Sequence, residues 1–220
     1  MANYKNLIPF IRLWEGGLSN AATDAVAYAD PVPDGTHNHT NKGIRWTTWK
    51  YVNGSSGESI KRFYKMSDSD WLNIYKKTFW DVMGGDKIKS QRIADILVNW
   101  AWGSGYYIPS TSVQRILGFK GKDVDGVIGK DTILAINNAN EVELYNKLKD
   151  ANYKFFKDLG AQPKYAANLD GWINRLNDLY TNWTKKIKEE VKEKKNSIGI
   201  GFLLVVLAVV IYLIVTKKNK

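Results

Sequence analysis

Apolar residues return at helical spacing through most of the first 183 positions, and that period restricts the chain to a mainly α architecture. Leu7, Phe10, Ile11 and Trp14 fall at i, i+3, i+4 and i+7, which predicts a helix over Tyr4–Trp14. A second helix starts at Ser67, a good N-cap followed by two acidic residues that suit the positive helix end, and runs through Trp71, Ile74, Tyr75 and Phe79. The same period predicts helices over Ile88–Trp102, Glu141–Leu159 and Ala167–Trp183, and a shorter pair over Thr111–Leu117 and Asp131–Asn138 around an Asp125-Gly126 turn. Ile44–Val52 reads as a short helix or a strand. Between the first helix and that segment, Gly16–Gly43 is polar, with Pro31, Pro33 and an Asp34-Gly35 turn. A loop of that length is uncommon in a compact domain unless it carries function.

Leu13-Trp14-Glu15-Gly16-Gly17 places one acid at the end of the first apolar stripe. A carboxyl group in a partly desolvated cleft can hold a proton near neutral pH and deliver it to a glycosidic oxygen. The two glycines are expected to let the backbone turn and to leave room for a substrate chain. Glu15 is therefore the leading candidate for a catalytic acid.

The chain has no cysteine, which excludes thiol nucleophiles, disulfide scaffolds and cysteine-based zinc sites. His37 and His39 lie two apart in the polar loop and read as loop polarity, so neither a metal nor a cofactor is expected. The formal net charge of +10 looks like a nucleic-acid footprint until it is mapped. Residues 184–197 carry six Lys against three Glu, and residues 217–220 carry three Lys. Most of the excess therefore flanks the run Ile198–Val215, 18 residues without a formal charge, and no nucleic-acid partner is expected. As a helix that run would span about 27 Å, close to the roughly 30 Å hydrocarbon thickness of a bilayer. The expectation is a single C-terminal transmembrane helix in the lipid bilayer over residues 198–216. Lysines before it outnumber those after it, which places the amino-terminal bulk on the cytoplasmic side until release or membrane disruption. No apolar signal run follows Met1–Lys5.

Four stretches, taken in order, resemble the lysozyme-like glycoside hydrolase family 108, often met as phage or prophage endolysins, with that family's peptidoglycan-binding-like part. They are Trp14-Glu15-Gly16-Gly17-Leu18-Ser19; His39-Thr40-Asn41-Lys42-Gly43-Ile44; Phe79-Trp80-Asp81 running on to Ile93–Trp100; and Val113–Gly118 with Asp125–Gly129 and Thr132. The resemblance implies hydrolysis of the bond between N-acetylmuramic acid and N-acetylglucosamine, with Glu15 as proton donor. It also implies a second carboxylate nine residues on, at Asp24, and a threonine, best matched by Thr40. The spacing to Thr40 is longer than usual because Ala25–His39 looks like an insertion, which offers Asp30 and Asp34 as rivals to Asp24. That carboxylate has to stabilise charge at the anomeric carbon or activate water there.

Nine Trp and twelve Tyr are many for this length, and sugar rings stack on aromatic faces. Trp46, Trp49, Trp102 and Tyr106, with Tyr107, lie near loops and are candidates for substrate binding. Trp71, Trp80 and Trp100 fit helix faces of the core. The expected organisation is a catalytic lobe over 1–105, a peptidoglycan-binding-like helical lobe over 106–183 packed on it, a charged stalk over 184–197, the transmembrane helix over 198–216 and a basic tail over 217–220. The fold class is then mainly α, a lysozyme-like helical domain followed by a single C-terminal transmembrane helix. The functional expectation is a monomeric, membrane-anchored N-acetylmuramidase acting on peptidoglycan glycan strands. The rival reading is a catalytically silent peptidoglycan-binding tether.

Overall fold

The computed structural model describes residues 1–22, 24–183 and 185, in two units, Met1–Asn177 and a second that starts at Asp178. Helix α1 (Tyr4–Trp14) is capped by Asn3, whose side chain accepts from the Lys5 N–H at 3.0 Å, and it buries Leu7, Phe10 and Ile11 as the periodicity requires. Pro9 sits inside it and removes one backbone donor.

The stretch between α1 and Ile44 is ordered by local bonds. Asp24 caps the short α2 (Ala25–Tyr28) by accepting from the Ala27 N–H at 3.2 Å. Strands β1 (Thr40–Asn41) and β2 (Ile44–Arg45) pair antiparallel, Thr40 opposite Arg45 and Asn41 opposite Ile44. Lys42 and Gly43 form the two-residue turn, both at positive φ (48° and 77°), which suits a primed hairpin turn. Ser19 bridges to Thr40 and ties the start of the loop to this hairpin. Burial alone would raise the Asp34 carboxyl, but hydrogen bonds from Thr36 and Tyr64 outweigh it and hold it below its ordinary 3.8, fixing the loop tip.

The segment Ile44–Val52 is both strand and helix, since β2 passes directly into α3 (Trp46–Asn53). Helix α4 (Gly57–Tyr64) follows, capped by Ser56, and then α5 (Asp68–Tyr75), where Ser67 and Asp70 form a reciprocal capping box. A π-helical stretch, Lys76–Trp80, continues α5. Helix α6 (Gln91–Ser104) is the spine: Ile93 through Ala101 are all buried, Asp95 and Asn99 included. It packs against α7 (Tyr107–Ile116) and α9 (Glu141–Gly160), with α8 (Lys130–Asn138) between them in sequence. Helix α10 (Leu169–Asn177) closes onto α9, so tightly that a Cβ on Gly160 would lie 2.6 Å from Leu169 Cδ1. The single helix expected over Ala167–Trp183 is thus divided into a 3₁₀ turn (Pro163–Asn168), α10 and, in the second unit, a π-helical stretch Asp178–Trp183.

The fold class and the localisation expected from the C-terminal run are corrected. The chain is mainly helical, and among the described residues no helix is long and apolar enough to cross a membrane. The longest, α9, has 20 residues, but buries only one face and carries Lys147, Lys149, Asp150, Lys154, Lys157 and Asp158 on its length. The single-pass anchor over residues 198–216 lies outside the described residues, as do the stalk from 186 and the basic tail, so neither a membrane span nor the cytoplasmic placement deduced from it is supported.

Candidate active site

Glu15 is the C-cap of α1. Its backbone has left the helix (φ −101°, ψ 132°), while its N–H still reaches the Arg12 carbonyl. The stripe that buries Leu7, Phe10 and Ile11 therefore delivers the next acid off the helix end into a cleft of about 200 Å³. There its side chain is only 15 % exposed.

Two donors converge on one carboxylate oxygen. Trp102 Nε1 and Arg175 Nη1 each donate to Glu15 Oε1 at 2.6 Å. Those donors fill the two lone pairs of Oε1. The other oxygen, Oε2, lies against Gly43, where an added Cβ would come within 2.3 Å of it. Gly43 thus meets two demands at once, a positive φ and the absence of a side chain. The glycines beside the acid meet neither: Gly16 and Gly17 are outside the left-handed region, and a Cβ on either would touch nothing within 4 Å.

The donors are themselves held. Trp102, near the end of α6, packs its ring among Phe79 (4.7 Å), Trp71 (5.6 Å) and Tyr75 (6.0 Å). Arg175 comes from α10 and shares that helix face with Trp172 and Leu176, which also line the cleft. Its Nε and Nη2 donate to Asn99 Oδ1 at 3.1 and 3.0 Å, and its guanidinium lies 5.8 Å from the centre of the Phe10 ring. Asn99 is buried on α6.

Asp24 and Thr40 line the same cleft as Glu15. Arg45 Nη2 reaches both Asp24 oxygens at 3.4 Å. Asp30 is paired with Lys50 at 2.5 Å, and Asp34 accepts from Thr36 and Tyr64, so both rivals are engaged outside the cleft. Thr40 Oγ1 lies 2.9 Å from Nδ1 of His39, whose Nε2 is 3.1 Å from the Ala21 carbonyl. A carbonyl only accepts, so Nε2 carries the proton. In the neutral ring, Nδ1 then accepts from the Thr40 hydroxyl and leaves its lone pairs free. His39 is buried, and His37 stacks on Tyr28 instead. No three His, Asp or Glu side chains gather as a metal site among the described residues.

Of the aromatic candidates, Trp102 lines the cleft. Trp46 and Trp49 are fully buried against Phe63, at i and i+3 of α3, and belong to the core. Tyr106 is exposed and borders a separate groove. Sequence reasoning did not single out Arg175, Asn99, Arg45 or Trp172, and it read His39 only as loop polarity. Only the spacing of Trp172, Arg175 and Leu176 signals that an arginine shares the inward face of its helix.

One cleft of this helical fold thus gathers two carboxylates, two guanidinium groups and aromatic walls. The glycosyl hydrolase 108 model matches residues 8–105, and a model described as a predicted peptidoglycan domain matches residues 108–177. The chain therefore carries a glycosyl hydrolase 108 domain followed by a peptidoglycan domain, a pair that supports a peptidoglycan hydrolase. The solved structure of SagA from Brucella abortus superimposes with a TM-score of 0.63 at 20 % identity, over 82 % of this chain and 93 % of that one, which establishes a shared fold. No curated protein matches the chain.

Proposed function

We propose that the chain is an N-acetylmuramidase in which Glu15 is the general acid, Asp24 the second carboxylate and Thr40 a hydroxyl that positions water or Asp24. The observation that carries this reading is the position of Glu15, enclosed in a cleft that Asp24 and Thr40 also line and hydrogen-bonded by the Trp102 indole. Because Trp102 and Arg175 fill Oε1, the proton to be delivered belongs on Oε2, the oxygen that Gly43 leaves uncovered. Delivery to the glycosidic oxygen breaks the bond to the leaving sugar while Asp24 stabilises the positive charge growing at the anomeric carbon or activates water against it. Arg45 keeps Asp24 turned toward the cleft. The division into a catalytic lobe over 1–105 and a helical lobe over 106–183 belongs to this same reading.

Glu15→Gln keeps the shape and the Trp102 hydrogen bond but has no proton of the right acidity to give. Clearing of a purified peptidoglycan suspension should fall at least about 100-fold, the usual range for loss of general acid catalysis. Mass spectrometry of the parent's products should show reducing-end muramic acid. Full clearing by Glu15→Gln would end the reading, and reducing-end glucosamine would change the bond assigned.

A further inference from the structure

A second, larger groove of about 760 Å³ is built from the residues that follow the cleft walls along the chain. Arg45 borders the cleft while Thr47 and Thr48 border the groove; Gly103 borders the cleft and Gly105 the groove. Two residues of chain cover at most about 7 Å. Trp102, bonded to Glu15, also packs directly on Phe79, which lines the groove. The two depressions share no lining residue, but they come within a few residues of each other where β2 enters α3 and where α6 ends.

The two sides of the groove come from the two matched domains. On one side the π-helical stretch presents Lys77, Thr78 and Phe79, and such wider turns often re-aim side chains at functional sites. On the other, the Asp125-Gly126-Val127 turn is fixed by one side chain. Gln114 Nε2 donates to Asp125 Oδ1 (2.7 Å) and to the Val127 carbonyl (3.0 Å), while its Oε1 accepts from the Gly126 N–H at 3.0 Å. Gly126 sits at φ +78°, with a hypothetical Cβ 2.5 Å from the Tyr107 ring, so the turn cannot shift inward. It holds Val127 out to solvent, 60 % exposed.

Tyr51 and Tyr106 are 86 % and 52 % exposed on this surface, an unusual display of large rings with nothing covering them in the described chain. Apolar faces combined with the hydroxyls of Thr47 and Thr48 match an amino sugar, which offers C–H faces, an N-acetyl methyl and ring hydroxyls together. Lys77 suits the carboxylate of a muramic acid. Nucleic acid would call for several cations, where this surface offers one among its described residues. A glycan strand is long and linear, so a strand engaged at Glu15 has to continue over neighbouring surface.

We propose that this groove binds the glycan strand beyond the scissile linkage, with amino sugars stacked on Tyr51 and Tyr106 between the π-helical stretch and the Asp125-Gly126-Val127 turn; this rests on reading the Glu15 cleft as the site of cleavage. The test uses the full chain. In the Glu15→Gln background, Tyr51→Ala/Tyr106→Ala is compared with its parent for retention on immobilised glycan strands stripped of stem peptides. Binding should weaken roughly tenfold or more on losing two stacking rings. With Glu15 intact, the double variant should raise KM on long strands by a similar factor and leave kcat within about twofold. Both rings face solvent, so melting temperature should hold and exclude a folding defect. Retention equal to the parent's overturns the proposal. So does a parent that binds intact peptidoglycan but not stripped strands, which would assign the groove to stem peptides. Failure of the cleft reading shows separately, as clearing by Glu15→Gln, whereas the groove is judged by retention.

Discussion

Arg175 and Glu15 stand 160 positions apart in sequence and meet at 2.6 Å, both more than four-fifths buried. One belongs to the span of the peptidoglycan domain and the other to the span of the glycosyl hydrolase domain. The acid cleft is therefore not complete within the first domain: its carboxylate is oriented by a guanidinium that the second domain supplies and Asn99 aims.

Removing one partner of such a pair leaves a charge without compensation in a poorly solvated place. Arg175→Ala should cost about 2–4 kcal/mol, seen as a lower midpoint in urea, since fully buried pairs cost about 3–5. Arg175→Lys should recover part of the stability but not the fork to Asn99. If the arginine positions Glu15, kcat on peptidoglycan should stay at least about tenfold down in the lysine variant while KM changes less than about twofold. A lysine variant with parental kcat would reduce Arg175 to a structural brace.

Gly43→Ala tests the space beside Oε2. An alanine there must adopt φ near +77° and place its methyl 2.3 Å from the carboxylate oxygen. The backbone conformation alone costs about 1–2 kcal/mol, and Glu15 has to move. Activity should drop roughly 100-fold, as for other misplacements of about 1 Å. Gly16→Ala and Gly17→Ala, with open space at both positions, should lose less than about threefold in the same clearing assay. The reverse ranking would mean that the paired glycines, not the hairpin turn, define the acid's surroundings.

Much of the helical fold was legible because each helix buries a stripe, and a stripe leaves a period. Helix α4 was missed although Ser56, Glu58, Ile60 and Phe63 carry a cap, an acidic first turn and an apolar pair; eight residues are too short for a period to stand out beside a polar loop. In the site, Glu15 could be found because a helix end is a local feature. Arg175 and Asn99 could not, since one reads as the polar edge of an amphipathic helix and the other as a buried position on an apolar one; their meeting is tertiary. Trp46 and Trp49 show the opposite difficulty. Closeness to a loop in sequence says nothing about exposure, and their i, i+3 spacing already marked an inward face.

His39 was read as loop polarity, yet its ring joins the Ala21 carbonyl to the Thr40 hydroxyl. If the imidazole serves the cleft through that hydroxyl, Thr40→Val and His39→Ala should be strongly non-additive in kcat. The double variant should then be no worse than the poorer single variant, by less than about threefold. Stability should behave otherwise, with His39→Ala costing about 1–3 kcal/mol because removing the buried ring leaves a cavity. Multiplying losses in kcat would place the two side chains in separate roles.

Acid should loosen the hold on the buried Trp80 ring by way of Asp86. The Trp80 indole N–H, donating at 2.7 Å, holds the Asp86 carboxyl below its ordinary 3.8; burial opposes this, and Lys76 adds to it from 3.1 Å. A carboxylate depressed on folding contributes stability that is complete above its unfolded value and disappears as pH falls through the folded one. Asp86→Asn should therefore melt below the parent at pH 7, and the gap should begin to close near pH 4 and vanish at lower pH. Asp86 is more than half exposed, and solvent screening limits the contribution to under about 1 kcal/mol, or about 2–4 °C for a chain of this size. Melting curves of both proteins across that range decide the matter: a gap that stays constant with pH would assign the loss to the amide's fit against Trp80 instead of to the charge.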